Sequence, residues 1–175
     1  MPATHTFIQT VTANAGAQAS LGFAGIPQTY NDLYLVMSFR STSATGVGGV
    51  GTAITINGLT TNRFGRRLWA GGAGPTVGSD NWTGSSLGAN PPTAASQASI
   101  FGSVSVYFLN YSGATQKIWL VDSVSEGNSA TAWESDMVAG RWAAANAITD
   151  ISITMSDASN FAQYSSASLY GIKNS

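Results

Sequence analysis

Alternating apolar and polar positions organise this chain. From Leu33 to Ser41, the residues Leu33, Leu35, Met37 and Phe39 fall on one side and Tyr34, Val36, Ser38 and Arg40 on the other, which predicts a core-lining strand. Shorter runs of the same kind recur. In Thr4 to Thr12, the period of two puts Phe7, Gln9 and Val11 on one face and Ile8 on the other. Leu21 and Phe23 pair next, before Gly25-Ile26-Pro27 interrupts the ladder, because proline has no amide hydrogen to donate. Ala53 to Asn57 reads as a strand closed by Asn57-Gly58, a pair suited to a tight turn with positive φ.

Further along, Ser99 to Asn110 places Ile100, Val104, Val106 and Phe108 together, with Phe101, Tyr107 and Leu109 opposite. A turn at Tyr111-Ser112-Gly113 leads to Lys117 to Ser125, where Ile118, Leu120 and Val124 alternate with Trp119 and Val121, so the two runs predict a hairpin. Ala132 to Trp142 reads as strand around Trp133 and Met137, with a turn or single helical turn at Ala143 to Asn146. Ile151, Ile153 and Met155 mark another strand and Ala167 to Ile172 a last one. Ala70 to Ala98 is rich in Gly, Ser, Thr and Pro and predicts a long loop, which either binds something or is a tolerated insertion. No helical pattern separates the strands. The expectation is one all-β domain over residues 1–175, an antiparallel β-sandwich of jelly-roll type with eight or nine strands.

Composition sharpens this reading. Only 9% of the 175 residues are charged, where about 25% is ordinary, and the net charge is -1. Ser, Thr, Asn, Gln and 20 Gly take the place of charge at the surface. Such an exterior repels neighbours weakly and suits a protein that works packed in an assembly. Seven basic residues fall short of a nucleic-acid partner. No apolar run approaches the roughly 18 residues of a membrane span, and MPATHTFIQT lacks the pattern of a signal peptide, so synthesis in a cytoplasm is expected.

The inventory for chemistry is thin. With no cysteine and one histidine, His5, thiol chemistry is excluded and the common catalytic base is confined to a first strand or arm. Nitrogen and sulfur ligands for zinc are missing, and no cofactor is expected. Glu134 and Asp136 share a face if they lie on a strand, and Asp122 and Glu126 flank a strand end; a solvated sheet face accounts for them, with a glycosidase pair as the enzymatic alternative. Gly46 to Gly51 lacks the Gly-Lys-Ser/Thr ending of a phosphate loop and reads as a flexible turn. The one charged cluster is Arg63, Arg66 and Arg67, beside Phe64, Leu68 and Trp69. Arginine and aromatic residues are enriched at interfaces, so Arg63, Arg66, Arg67, Trp69 and Trp82 are the interface candidates. The alternative for the cluster is a solvated turn with an aromatic anchor.

Several segments together resemble the small surface proteins of bacteriophage particles. They are Gly25-Ile26-Pro27-Gln28-Thr29-Tyr30-Asn31-Asp32-Leu33, Phe39-Arg40-Ser41, Ile54-Thr55-Ile56-Asn57-Gly58, Trp142 with Ala147-Ile148 and Ile151-Ser152-Ile153, and the ending Ser166-Ala167-Ser168-Leu169-Tyr170-Gly171-Ile172. The resemblance implies a β-sandwich without a catalytic residue, located in the virion, homo-oligomeric and often trimeric, with the major capsid protein among its partners. A capsid decoration or cement protein is the leading expectation and a tail-fibre or receptor-binding module the second. A carbohydrate-binding or carbohydrate-active sandwich using Trp69, Trp82 and Trp133 is the third.

Overall fold

The computed structural model describes residues 4–16, 18–47, 49–73, 76–129 and 132–173. Among them are eleven strands and no helix: β1 (His5–Thr12), β2 (Ser20–Phe23), β3 (Asp32–Phe39), β4 (Thr52–Ile56), β5 (Arg63–Gly71), β6 (Thr76–Thr83), β7 (Gly102–Leu109), β8 (Lys117–Glu126), β9 (Trp133–Trp142), β10 (Ile151–Met155) and β11 (Ser166–Ile172). Eight form one antiparallel sheet in the order β1-β11-β3-β7-β8-β9-β5-β6, and three form a second in the order β2-β10-β4. The fold is therefore an antiparallel β-sandwich of unequal layers. Two or three strands more than expected are present.

The core lies between the layers. Leu33, Leu35, Met37 and Phe39 of β3 are fully buried, as their alternation predicts, and meet Leu21, Phe23, Ile54, Ile56, Ile151 and Ile153 from the small sheet. Burying side chains of this size contributes about 1.5–3 kcal/mol each. The β7–β8 hairpin forms as expected, with Val104, Val106 and Phe108 turned inward. Asn57 and Gly58 adopt φ of 51° and 72°, and Ile56 and Leu59 exchange two backbone hydrogen bonds across them. The turn is as predicted, but the chain beyond it leaves for the other sheet.

Two expectations are corrected. A β-bulge between Phe7 and Gln9 resets the parity of β1, so Phe7 stays outside opposite Tyr170 while Val11 turns to the core opposite Ala167. The segment Ala70 to Ala98 is not one long loop. β5 runs to Gly71, and β6 pairs with it along its whole length. β6 was hidden because an edge strand with polar and glycine positions on both faces shows no apolar period. Of the remainder, 84–98, the first part is packed in: Leu87, Ala89, Asn90 and Thr93 are buried, and hydrogen bonds Ile54 N to Ser85 O, Leu87 N to Thr52 O and Thr52 N to Ala89 O lay residues 85–89 along the free side of β4, whereas 94–98 are mostly exposed. The Gly46 to Gly51 stretch contains a turn closed by Gly49 N to Gly46 O, with Val50 buried; Gly48 lies outside the described residues.

Candidate functional site

On the large sheet, the face turned from the small sheet is the unusual surface of the molecule. β8 alternates strictly, with Lys117, Trp119, Val121, Ser123 and Ser125 buried and Ile118, Leu120, Asp122, Val124 and Glu126 exposed. Its outward positions are as apolar as its inward ones. Register carries the pattern across the neighbouring strands. One row reads Tyr107, Leu120, Ala139, Arg66, Asn81 from β7 to β6, and the next reads Ser105, Asp122, Met137, Leu68, Ser79. Leu68 is 62% exposed, Met137 64%, Leu120 52% and Val77 76%. Single exposed apolar side chains are ordinary, whereas a contiguous set marks an interaction surface.

This face is a trough. A concavity of about 690 Å³ spans five strands and is lined by Tyr107, Leu120, Ala139, Met137, Leu68 and Arg66. Its β7 wall continues an aromatic row, Tyr107, Tyr34, Tyr170 and Phe7, each directly opposite the next on β7, β3, β11 and β1. The ring of Tyr34 lies 6.4 Å from that of Tyr107, and Phe7 meets Tyr170 edge-on at 5.9 Å. Tyr107 donates its hydroxyl to Asp32 Oδ2 at 2.8 Å; burial first, and then the Asp32 carboxylate, push the phenol up to about 12. The ring is thereby pinned at the trough wall.

The predicted interface residues separate on this sheet. Arg66 is exposed on the outer face and lines the trough, and Arg67 borders it as well. Arg63 is corrected from interface to interior: it is 1% exposed, donates to the Ile54 carbonyl of the small sheet, and burial lowers its pKa. Arg67 points inward as well, donating to Asp80 Oδ2 at 2.8 Å, Asp136 Oδ1 at 3.0 Å and Glu134 Oε1 at 3.1 Å. Glu134 also accepts from Asn90 Nδ2 at 2.7 Å. The solvated-face reading of Glu134 and Asp136 is overturned, since both are buried on the inner side of β9. Burial first, then the Glu134 charge, raise the Asp136 carboxyl to about 7 against the opposing pull of Arg67.

Neither Trp69 nor Trp82 is a free platform. Trp69 carries the Arg67 guanidinium 5.8 Å above its ring and crosses the backbone of Gly78, its direct partner on β6. Trp82 lies over Gly65, where an added Cβ would sit 2.3 Å from the ring, and its indole donates to Ser86 O at 3.0 Å. Trp133 stands at the start of β9 and is 38% exposed. His5 sits on edge strand β1, edge-on to Tyr34 at 5.9 Å. Sequence reasoning missed Leu68, Leu120 and Met137 as site residues. The available signal was the doubly apolar alternation of β8, which says that both faces are to be covered.

No protein-family profile matches the chain, and no curated protein matches it. Among solved structures, a protein of unknown function from Shewanella oneidensis MR-1 aligns over 98% of this chain and 77% of its own, at 11% identity and a TM-score of 0.26.

Proposed function

We propose that this protein is a non-enzymatic structural protein of a bacteriophage virion, a capsid decoration or cement protein that attaches through its outer sheet face. The observation that carries the reading is the apolar trough of Leu68, Leu120 and Met137, left open on a surface with few charges. An exposed set of this kind gains most by docking against another protein. The resemblance of the Gly25 to Leu33 segment and the Leu169-Tyr170-Gly171-Ile172 ending to phage surface proteins supplies the setting.

Self-association is part of the same reading, with a homotrimer as the expected state. Edge strand β1 carries no Asp, Glu, Lys, Arg or Pro to blunt pairing with another chain. Light scattering on the purified protein should give three times the 18.0 kDa chain mass. A monodisperse single-chain particle at tens of micromolar would exclude self-assembly. Quantitative mass spectrometry of purified particles of the encoding phage should find the chain in fixed ratio to the major capsid protein. Its absence from particles overturns the virion assignment, and a copy number matching the tail moves it to a tail-fibre or receptor-binding role.

A further inference from the structure

We propose that the corner of the outer face between Arg66 and Arg141 is a seat for a carboxylate, filled by an acidic side chain of a partner protein that carries apolar residues beside it. The inference rests on the docking reading of the outer face given above and names the chemistry of the partner. Of the seven basic residues, four are engaged inside the fold: Arg40 donates to the carbonyls of Ser96, Gln97 and Ile100, Lys117 to those of Gly113 and Thr115, Arg63 to that of Ile54, and Arg67 to three carboxylates. Lys173 follows the last strand. Arg66 and Arg141 remain, both exposed on the outer face and lining one concavity of about 400 Å³ with Phe64, Asn81 and Thr83. Neither guanidinium makes an ion pair among the described residues.

Register fixes their spacing. Arg141 stands directly opposite Phe64, and Arg66 is two residues further along β5, so the two arginines are diagonal neighbours with Cβ atoms about 7–8 Å apart. Two long side chains reach one carboxylate from such positions, and the planar guanidinium fork matches its two oxygens. The Arg141 guanidinium is already held 4.8 Å from the Phe64 ring, which lowers the cost of ordering it on binding. Two like charges this close repel, and an anion between them relieves the repulsion. The acids that line the neighbouring trough do not supply it: Asp80 is held by Arg67 at 2.8 Å, and Asp122 lies two strands and one outward position from Arg66, about 12 Å away by strand spacing and beyond the screening length of about 8 Å. Two arginines balance one carboxylate, whereas a nucleic acid engages many more cations than Arg66, Arg141 and Lys173 offer. The concavity shares Arg66, Asn81 and Ala139 with the apolar trough, so a segment whose carboxylate is seated here places its neighbours over Leu120, Met137 and Leu68. A charge pair at the margin of a desolvated apolar patch is the arrangement that gives arginine its weight at protein interfaces.

Two displayed libraries of short peptides test this on the full chain, alike in apolar composition and differing only in a fixed central Glu or Gln. Enrichment is expected from the Glu library, with binding of the best peptide at least tenfold weaker to the Arg66→Gln/Arg141→Gln protein and salt-dependent on the native chain alone. Both arginines are exposed, so the melting temperature should be unchanged, and each single variant should act in the same direction as the pair. Equal enrichment from the Gln library, no binders from either, or equal binding to the native and arginine-variant proteins would overturn the seat. Oligouronates that bind through the arginines where acidic peptides do not would make the ligand an acidic sugar and overturn the protein partner. Loss of the native oligomer in the arginine variant would make a second copy the occupant, with the same consequence. The docking reading fails separately, if the Leu120→Asp/Met137→Asp protein occupies particles as fully as the native chain.

Discussion

Tryptophan rings on this sheet lie over glycines directly across the ladder, Trp82 over Gly65, Trp69 over Gly78 and Trp119 over Gly140. The glycines are required by packing, since a Cβ at Gly140 would stand 2.1 Å from the Trp119 ring. Gly140→Ala should therefore destabilise the fold by about 2 kcal/mol or more through overpacking, whereas Gly22→Ala, with its nearest neighbour at 3.8 Å, should be close to neutral. Urea denaturation of the two variants compares them. Asp136 has a pH signature of its own. Its folded-state pKa of about 7 lies above the ordinary carboxyl value, so between about pH 4 and pH 7 the unfolded chain has lost a proton that the folded one keeps. Stability should fall as pH rises through that window and level off above it. In Asp136→Asn that decline should be reduced, as measured by thermal melts from pH 4 to pH 8.

At the scale of elements, the β5–β6 hairpin divides its arginines between two tasks. Arg67 pairs with Asp80, Glu134 and Asp136, and Arg66, one residue earlier, is exposed on the outer face at the trough. Removing one partner of a buried ion group leaves charge uncompensated at a cost of roughly 3 kcal/mol. Arg67→Ala should lower the melting temperature markedly, and Arg66→Ala should leave it nearly unchanged while weakening particle attachment. Calorimetry alongside particle occupancy separates the two effects. An equal loss of stability in both variants would remove the distinction. β4 shows a related division: its free edge is covered by residues 85–89, so the chain after β6 completes the small layer where a loop was expected.

Across the whole molecule, the layers are unequal, and that inequality exposes the site. Three strands cover the inner face of the eight-stranded sheet, while the outer face has no covering layer among the described residues. Apolar residues there follow the same alternation as the core. Leu120 and Trp119 are both strand-forming and apolar, yet one is 52% exposed and the other 1%. The Leu120→Asp/Met137→Asp protein should keep its native melting temperature within a degree or two and lose association, because the changes touch only surface left open in the isolated chain.

The sequence by itself determined the strands at Leu33 to Phe39, the β7–β8 hairpin, the Asn57-Gly58 turn and the all-β class, because each follows from a period of two or from a turn dipeptide read within a few residues. Tertiary structure decided the rest. Which of two apolar faces of β8 becomes core depends on where the small sheet lands, a contact between segments far apart in sequence. The same is true of Arg63, Glu134 and Asp136, whose burial follows from the layer above them and not from their neighbours along the chain. β6 owes its existence to its partner β5, since its own residues carry no apolar alternation.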